Sequence, residues 1–144
     1  MGKKIKNRSE LLSHGHRHSR QTVLDITDAA LEELDAYGRI RSFLKCEGNL
    51  LRIGDRCWDL DRKRNVYLIG AGKACNAMAM AVEDALGERL TDGIAVVKIL
   101  EPEDRFVRTR VRIGGHPIPN QDGYEACLEI LDLIDHAAEE DLFL

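Results

Sequence analysis

A chain of 144 residues is long enough for one domain with a hydrophobic core. Hydrophobic residues make up 44% of it and charged residues 32%, a balance typical of a folded, well-hydrated protein rather than a disordered one. The formal net charge of -4 argues against a nucleic-acid-binding protein, because such a surface carries a basic excess.

No stretch of the sequence approaches the roughly 18–20 apolar residues that span a bilayer. The basic residues at the start are not followed by the apolar segment of a signal peptide. We therefore expect a cytoplasmic protein that binds neither nucleic acid nor membrane. The four cysteines show no C-x-x-C spacing, so we expect them to be reduced and mostly buried.

The pattern divides the chain into a polar tail, residues 1–18, and an α/β domain, residues 19–144. The domain opens with a predicted amphipathic helix from Ser19 to Tyr37, in which apolar side chains recur at three- and four-residue steps. These side chains are Val23, Ile26, Ala30, Leu31 and Leu34. Gly38 is a suitable stop for this helix.

A short second helix and a β-hairpin complete the first part of the domain, residues 19–62. The helix is predicted over residues 40–46. Gly54 and Asp55 separate two short apolar-rich runs between residues 49 and 60, and this pair favours a tight hairpin turn.

The remaining residues, 63–144, have the pattern of a βαβ core. The continuous apolar run Val66–Ile69 is typical of a strand buried on both faces. A helix is predicted from Lys73 to Leu86, and Asp92 and Gly93 are predicted to turn into a second strand, 94–99. Strand, helix and strand with short connections predict two parallel strands.

A third strand is predicted from Phe106 to Ile113, with one face near solvent because apolar residues alternate with arginines. Asn120 can cap a helix that runs to about Ala138. Its predicted inner face consists of Ala126, Cys127, Ile130, Leu131 and Ile134. Residues 142–144 have the pattern of a further strand, so we predict a Rossmann-like parallel sheet that is incomplete.

The turn from the first predicted strand into its helix is a candidate anion site. Gly70, Ala71 and Gly72 allow the backbone to approach a ligand, and free amides at a helix start attract negative charge. Lys73 adds a mobile positive charge suited to phosphate or carboxylate. The same glycines are also compatible with a purely structural role, in which they allow tight packing of strand and helix.

Two familiar nucleotide motifs fit this turn poorly. A dinucleotide fingerprint needs Gly or Ala where Cys75 stands, and an acid at the end of the second strand, where Lys98 stands instead. A Walker A loop needs glycine at the position of Tyr67 and Ser or Thr at the position of Ala74.

Two further residues are candidates for the same site. His116 lies in a loop stiffened by two prolines, and Lys98 lies near the end of the second predicted strand. Both follow strands, and α/β sheets collect their sites at the carboxyl ends of strands. The alternate residues His14, His16 and His18 have no acidic or cysteine partner nearby in the sequence, and we expect no metal site there.

Taken in order, several segments resemble the amino-terminal, DUF4147-like domain of the glycerate 2-kinases that carry a MOFRL carboxy-terminal domain. The segments are Val66–Ala74, the helix rich in Ala and Met, Gly93–Lys98 and Gly115–Pro119. The resemblance covers nearly the whole chain, including the opening from Asn7 to Ser13.

The resemblance implies an ATP-dependent kinase that phosphorylates D-glycerate with Mg²⁺. It implies that Lys73 is the catalytic lysine, and that Gly70, Ala71 and Gly72 bind substrate or phosphate. It further implies that Lys98 and His116 line the same cleft.

The chain departs from the family pattern where the serine- and glycine-rich S-G-G-G-S loop and the carboxy-terminal domain would follow. We therefore expect a truncated chain that is inactive alone, because half a cleft does not align two substrates. Its expected partners are D-glycerate, a complementing carboxy-terminal chain or a second copy at an exposed sheet edge. Two alternatives remain: a non-catalytic Rossmann-like module that binds an anion or nucleotide, and a dehydrogenase of the hydroxypyruvate reductase type.

Overall fold

The computed structural model describes residues 4–144, which divide into two compact units at the junction of Asp35 and Ala36. The predicted boundaries at residues 18 and 62 stay predictions. Part of the predicted tail, residues 1–3, lies outside the described residues. The rest of the predicted tail contains helix α1 (Arg8–Leu11) and the first residues of helix α2 (Arg17–Glu33).

The first unit is held together by an ion pair between its two helices. The Arg8 guanidinium, which is buried, donates to the Asp28 carboxylate at 2.6 Å and also contacts Asp25. Because α1 lies against this acidic side of α2, Leu24 and Asp28 are the buried residues of α2. The apolar side chains that the periodicity predicted to be buried are exposed: Val23, Ile26, Leu31 and Leu34.

The second unit begins with helix α3 (Ala36–Phe43) and a small antiparallel sheet of β1 (Leu44–Glu47), β2 (Leu50–Ile53) and β3 (Arg56–Asp59). The predicted hairpin is confirmed as β2 and β3. The predicted helix over residues 40–46 is wrong beyond Phe43, because the chain turns there into β1 and places Leu44 against the core.

The main sheet contains four parallel strands in the order β6-β5-β4-β7. They are β4 (Val66–Ala71), β5 (Asp92–Val97), β6 (Thr109–Ile113) and β7 (Leu142–Phe143). The Rossmann-like fold class is confirmed, and the final strand predicted from residues 142–144 pairs with β4.

Two details of the predicted strands are wrong. Asp92 and Gly93 belong to β5 and form no turn; Gly93 is buried, and a Cβ there would lie 3.1 Å from Leu68 Cβ, so glycine lets the strands pack closely. The third strand begins at Thr109 and not at Phe106, because the carboxylate of Glu83 accepts the backbone N–H groups of residues 107–109.

Two helices flank this sheet: α4 (Cys75–Leu86) and α5 (Gln121–Asp135). Asn120 caps α5 as predicted, since its side-chain oxygen accepts Gly123 N–H at 3.0 Å. On the predicted inner face of α5 only Ala126 is fully buried, whereas Leu131 and Ile134 are 54% and 45% exposed. The core forms where α4 packs on β4 and β5 together with the small sheet.

All four cysteines are free thiols, but the expectation that they are mostly buried is wrong. Cys75 is buried and Cys46 half-buried, while Cys57 and Cys127 are exposed. Within residues 4–144 no helix is both long and apolar enough to cross a bilayer.

The strand order places a topological switch point between β4 and β7. The chain leaves β4 toward β5 on one side and later returns to β7 on the other side. In open parallel sheets, ligands bind at such a point, outside the carboxyl ends of the strands. The loop that follows β4 begins there.

Candidate functional site

A cleft of about 190 Å³ lies where the loops after β4, β5 and β6 meet. Its lining residues are Ala71, Gly72, Lys73, Val96, Val97, Lys98, Gly114, Gly115 and His116. The structure therefore brings together five of the six predicted site residues. The sixth, Gly70, lies one residue earlier and lines a neighbouring apolar cavity instead.

The turn after β4 is built on two glycines with different roles. A Cβ at position 70 would lie 2.5 Å from Cys75 Sγ, so Gly70 makes room for that thiol. Gly72 has a φ of +127°, which side chains other than glycine rarely adopt, and its N–H donates to Val96 O at 3.0 Å. The amide of Gly72 is therefore used to attach the turn to β5.

Lys73 lies just beyond this turn and two residues before α4 begins. Ala74, at the N-cap position of α4, has no side-chain acceptor for the first amides of the helix. An uncapped helix start favours an anion, and an adjacent ammonium strengthens the attraction. The geometry concentrates positive charge at the mouth of the cleft, with Lys73 exposed to solvent.

The loop that carries Lys98 is anchored to the first turn of α4. Asn76 is buried, and its Nδ2 donates to Ile99 O at 2.9 Å and to the Asp104 carboxylate. Asp104 also accepts Glu101 N–H at 2.8 Å. These bonds hold the segment after Lys98 against the helix that follows Lys73.

The third loop follows β6 and carries His116. Gly114 N–H donates to Val97 O at 2.8 Å, and a Cβ at position 114 would lie 2.9 Å from Val96 Cγ1. The peptide bond between His116 and Pro117 is cis. The loop thus leaves β6 in close contact with the end of β5.

The cleft has an uncompensated positive character. Within the described residues, Lys73, Lys98 and His116 have no hydrogen-bond or ion-pair partner, and none of the lining residues is acidic. Five arginines elsewhere in the second unit are paired with carboxylates: Arg64, Arg89, Arg105, Arg110 and Arg112. Two lysines and a histidine around a small cleft are suited to a carboxylate or a phosphate.

An apolar cavity of about 660 Å³ adjoins the cleft along residues 71–73. Its other walls come from α3, β1, β2, β4, α4 and Leu144. Lys73 lines both spaces.

Comparison with known proteins identifies the family. Residues 22–144 match the family model described as Domain of unknown function (DUF4147). The chain belongs to the DUF4147 family.

Curated relatives of this DUF4147 chain are named as glycerate kinases. It is 29% identical over 123 residues to the glycerate 2-kinase of Pyrococcus horikoshii, a match that covers 85% of this chain and 27% of the relative. It is 31% identical over 86 residues to the D-glycerate 2-kinase of Thermotoga maritima, covering 60% of this chain and 20% of the relative. Human glycerate kinase is 31% identical to this chain over 113 residues, a match that covers 67% of this chain and 21% of the relative.

A solved structure supports the fold directly. The crystal structure of a protein from Pyrococcus horikoshii OT3 matches with a TM-score of 0.72 and 29% identity, covering 86% of this chain and 27% of the other. The chain thus spans between 20% and 27% of the lengths of these relatives.

Sequence reasoning missed the side chains that hold the three loops of the cleft in place. The sequence pattern predicts Asn76 only as part of a helix and Asn120 only as a helix cap. Their other bonds, to Ile99 O and Gly115 N–H, join segments 23 and 5 residues apart. A polar residue predicted to lie at a helix start, next to a glycine-containing loop, is the signal that could have indicated such a role.

The three histidines near the amino terminus are part of the first unit. The His16 ring accepts Ser19 N–H at 3.3 Å and thereby caps α2. His14 approaches the side chains of Ser13 and Arg20. Within residues 4–144 no three His, Cys, Asp or Glu side chains converge as a metal-binding group.

Proposed function

We propose that this chain carries the acid- and phosphate-binding part of an ATP-dependent D-glycerate 2-kinase. The observation that supports the proposal most is the cleft, where Lys73, Lys98 and His116 line a small space and none of the lining residues is acidic. Relatives named as glycerate 2-kinases match the region that contains all three residues. A cytoplasmic location is part of the same proposal.

The size of the cleft favours a small acid as its ligand. Its 190 Å³ lies below the roughly 300–1,000 Å³ typical of pockets for larger ligands, and a three-carbon hydroxy acid is correspondingly small. Lys73 is proposed as the catalytic residue, which contacts the acid or the transferred phosphate and neutralises its charge. Lys98 and His116 are proposed to orient the acid from the opposite loops.

The residues that line the cleft suit ATP but not Mg²⁺, the two cofactors that the resemblance implies. Its lysines can hold the phosphates of ATP, which supplies the transferred phosphoryl group. Mg²⁺ prefers carboxylate and other oxygen ligands, and the cleft contains no carboxylate. The lining residues therefore do not form a Mg²⁺ site of their own.

We propose further that the isolated chain does not catalyse phosphoryl transfer. It spans at most 27% of the relatives named above, and phosphoryl transfer depends on holding two substrates in line. The isolated chain would then bind an anion without catalysing a reaction, which is the second candidate function. The dehydrogenase alternative is less favoured, because Lys98 and not an acid follows β5.

The test combines binding and turnover on the same preparations. D-glycerate is titrated calorimetrically into the chain, its Lys73→Ala variant and a matched Lys45→Ala control, whose lysine lies on β1 outside the cleft. ADP formation is then followed with ATP, Mg²⁺ and D-glycerate. We expect binding by the chain and the control, weaker binding by Lys73→Ala, and no turnover.

Each other result has a defined meaning. Turnover that Lys73→Ala abolishes would overturn the proposed inactivity and keep the kinase assignment. Absence of D-glycerate binding by the unmodified chain would overturn the assignment of the cleft.

The proposed partners can be examined in the same way. Within residues 4–144, β7 pairs only with β4 and lies at one end of the sheet order. Its outer edge is therefore proposed to accept a second copy or a complementing chain. Sedimentation of the chain at rising concentration tests self-association. Addition of the P. horikoshii glycerate 2-kinase lacking its matching segment tests complementation, with ADP formation as the readout.

A further inference from the structure

A single side chain closes the loop that carries His116. Asn120 Oδ1 accepts the N–H of Gly115 at 2.7 Å and the N–H of Gly123 at 3.0 Å. The first bond lies within the cleft loop, and the second caps α5. One carboxamide oxygen therefore joins the cleft to the start of a 15-residue helix.

The backbone at Gly115 has little freedom to move away from this arrangement. A Cβ at position 115 would lie 2.4 Å from Ile118 O and 3.0 Å from the Cβ and Cγ of Asn120. On the other side, Gly114 N–H is bonded to Val97 O at 2.8 Å. The residue before His116 is thus held between α5 and β5.

We propose that Asn120 is a positioning residue for the cleft. By fixing Gly115 it determines where His116 lies relative to Lys73, so that the two loops face one ligand. The effect on ligand affinity rests on the proposed function, whereas the restraint on Gly115 can be measured without any ligand.

Amide hydrogen exchange measures the restraint. In Asn120→Ala the Gly115 N–H loses its acceptor, and we expect its exchange to be about tenfold faster, as for a lost hydrogen bond. Asn120→Asp keeps an acceptor oxygen and is expected to restore the protection. Faster exchange confined to Gly123 and Tyr124 would overturn the proposal, because Asn120 would then act only as a helix cap.

A second variant disturbs the loop while keeping the Asn120 side chain. In Gly115→Ala the new Cβ would lie 2.4 Å from Ile118 O and 3.0 Å from the Cβ and Cγ of Asn120, so we expect the ring resonances of His116 to shift. Gln121→Ala is the matched control, since that side chain donates to Glu125 one turn along α5 and does not contact Gly115. It is expected to change neither measurement.

Affinity is measured with inorganic phosphate and D-glycerate as probes, followed through the His116 ring resonances. We expect Asn120→Ala and Gly115→Ala to weaken binding about tenfold and Gln121→Ala to leave it unchanged. Equal affinity in all variants would overturn the positioning role. If the unmodified chain binds neither probe, the proposed function fails, and the exchange of Gly115 still decides whether Asn120 restrains the loop.

Discussion

The two ends of the main sheet differ in whether their charged side chains have partners. At the amino ends of the strands, charged side chains are paired: Arg64 with Asp141, Arg110 with Asp92, and Glu83 with three backbone amides. At the carboxyl ends, Lys73, Lys98 and His116 face a cleft without a partner in the described part of the chain. Paired charges hold the strands in register, and unpaired ones remain available to a ligand.

The pair of Arg64 and Asp141 illustrates the amino end. Arg64 contacts both carboxylate oxygens of Asp141, and Asn65 and the Ala138 amide donate to the same group. The Asp141 side chain is fully enclosed, and the Arg64 guanidinium holds its pKa well below the usual range. This cluster places β7 beside β4.

The largest effect is expected from Glu83→Ala at the amino end. The change leaves three backbone N–H groups at the start of β6 without an acceptor, while residue 83 is buried. We expect the free energy of unfolding to fall by about 3 kcal/mol. Loss of the acceptor for the buried Thr109 N–H costs about 1–3 kcal/mol, and the amides of the exposed residues 107 and 108, which water can reach, add less. Urea unfolding measures this free energy, with Glu88→Ala at an exposed position as the control. Equal urea midpoints for Glu83→Ala and the unmodified chain would contradict the role assigned to Glu83.

The same carboxylate predicts a dependence of stability on pH. Burial alone would raise the pKa of Glu83, but hydrogen bonds to the carboxylate outweigh it, and the pKa lies below its ordinary value of 4.5. Glu83 therefore stabilises the fold above pH 4.5, and this contribution is lost as pH falls through the pKa of the folded state. Asp141 contributes with the same sign.

We expect urea midpoints measured from pH 6 down to pH 3 to decrease below pH 4.5. The neutral variant Glu83→Gln should show a shallower decrease, because one of the carboxylates with a lowered pKa is gone. Parallel curves for the two proteins would show that Glu83 is not responsible for the acid sensitivity.

At the carboxyl end we expect a change in binding without a change in stability. Lys73→Ala removes an exposed ammonium that has no partner in residues 4–144, so the free energy of unfolding should change by no more than about 0.5 kcal/mol. Affinity for inorganic phosphate should fall about tenfold. A loss of stability as large as that of Glu83→Ala would break the distinction between the two ends.

The periodicity of the sequence was sufficient to predict the hairpin, the parallel strands, α4 and α5. Glycines beside Lys73 and His116 were sufficient to indicate loops that the structure brings to one cleft. These features depend on residues that are close together in the sequence, so a local pattern is enough to predict them.

Features that depend on distant partners could not be predicted. Arg64 and Asp141 are 77 residues apart, and each alone has the pattern of a solvated surface charge. Likewise, the buried side of α2 is set by Arg8 and not by its apolar stripe. Strand β1 forms because burial of Leu44 overrides the local helical pattern.

The smallest effect is expected from Arg112 on the flank of β6. Its guanidinium contacts both oxygens of Glu129 on α5, but both side chains are more than 30% exposed. Such pairs contribute about 0.5 kcal/mol and are screened by salt. In a double-mutant cycle of Arg112→Ala and Glu129→Gln, we expect a coupling of this size at low salt that vanishes near 1 M NaCl. A coupling that persists at high salt would contradict the expected screening and place this pair with the enclosed carboxylate of Asp141.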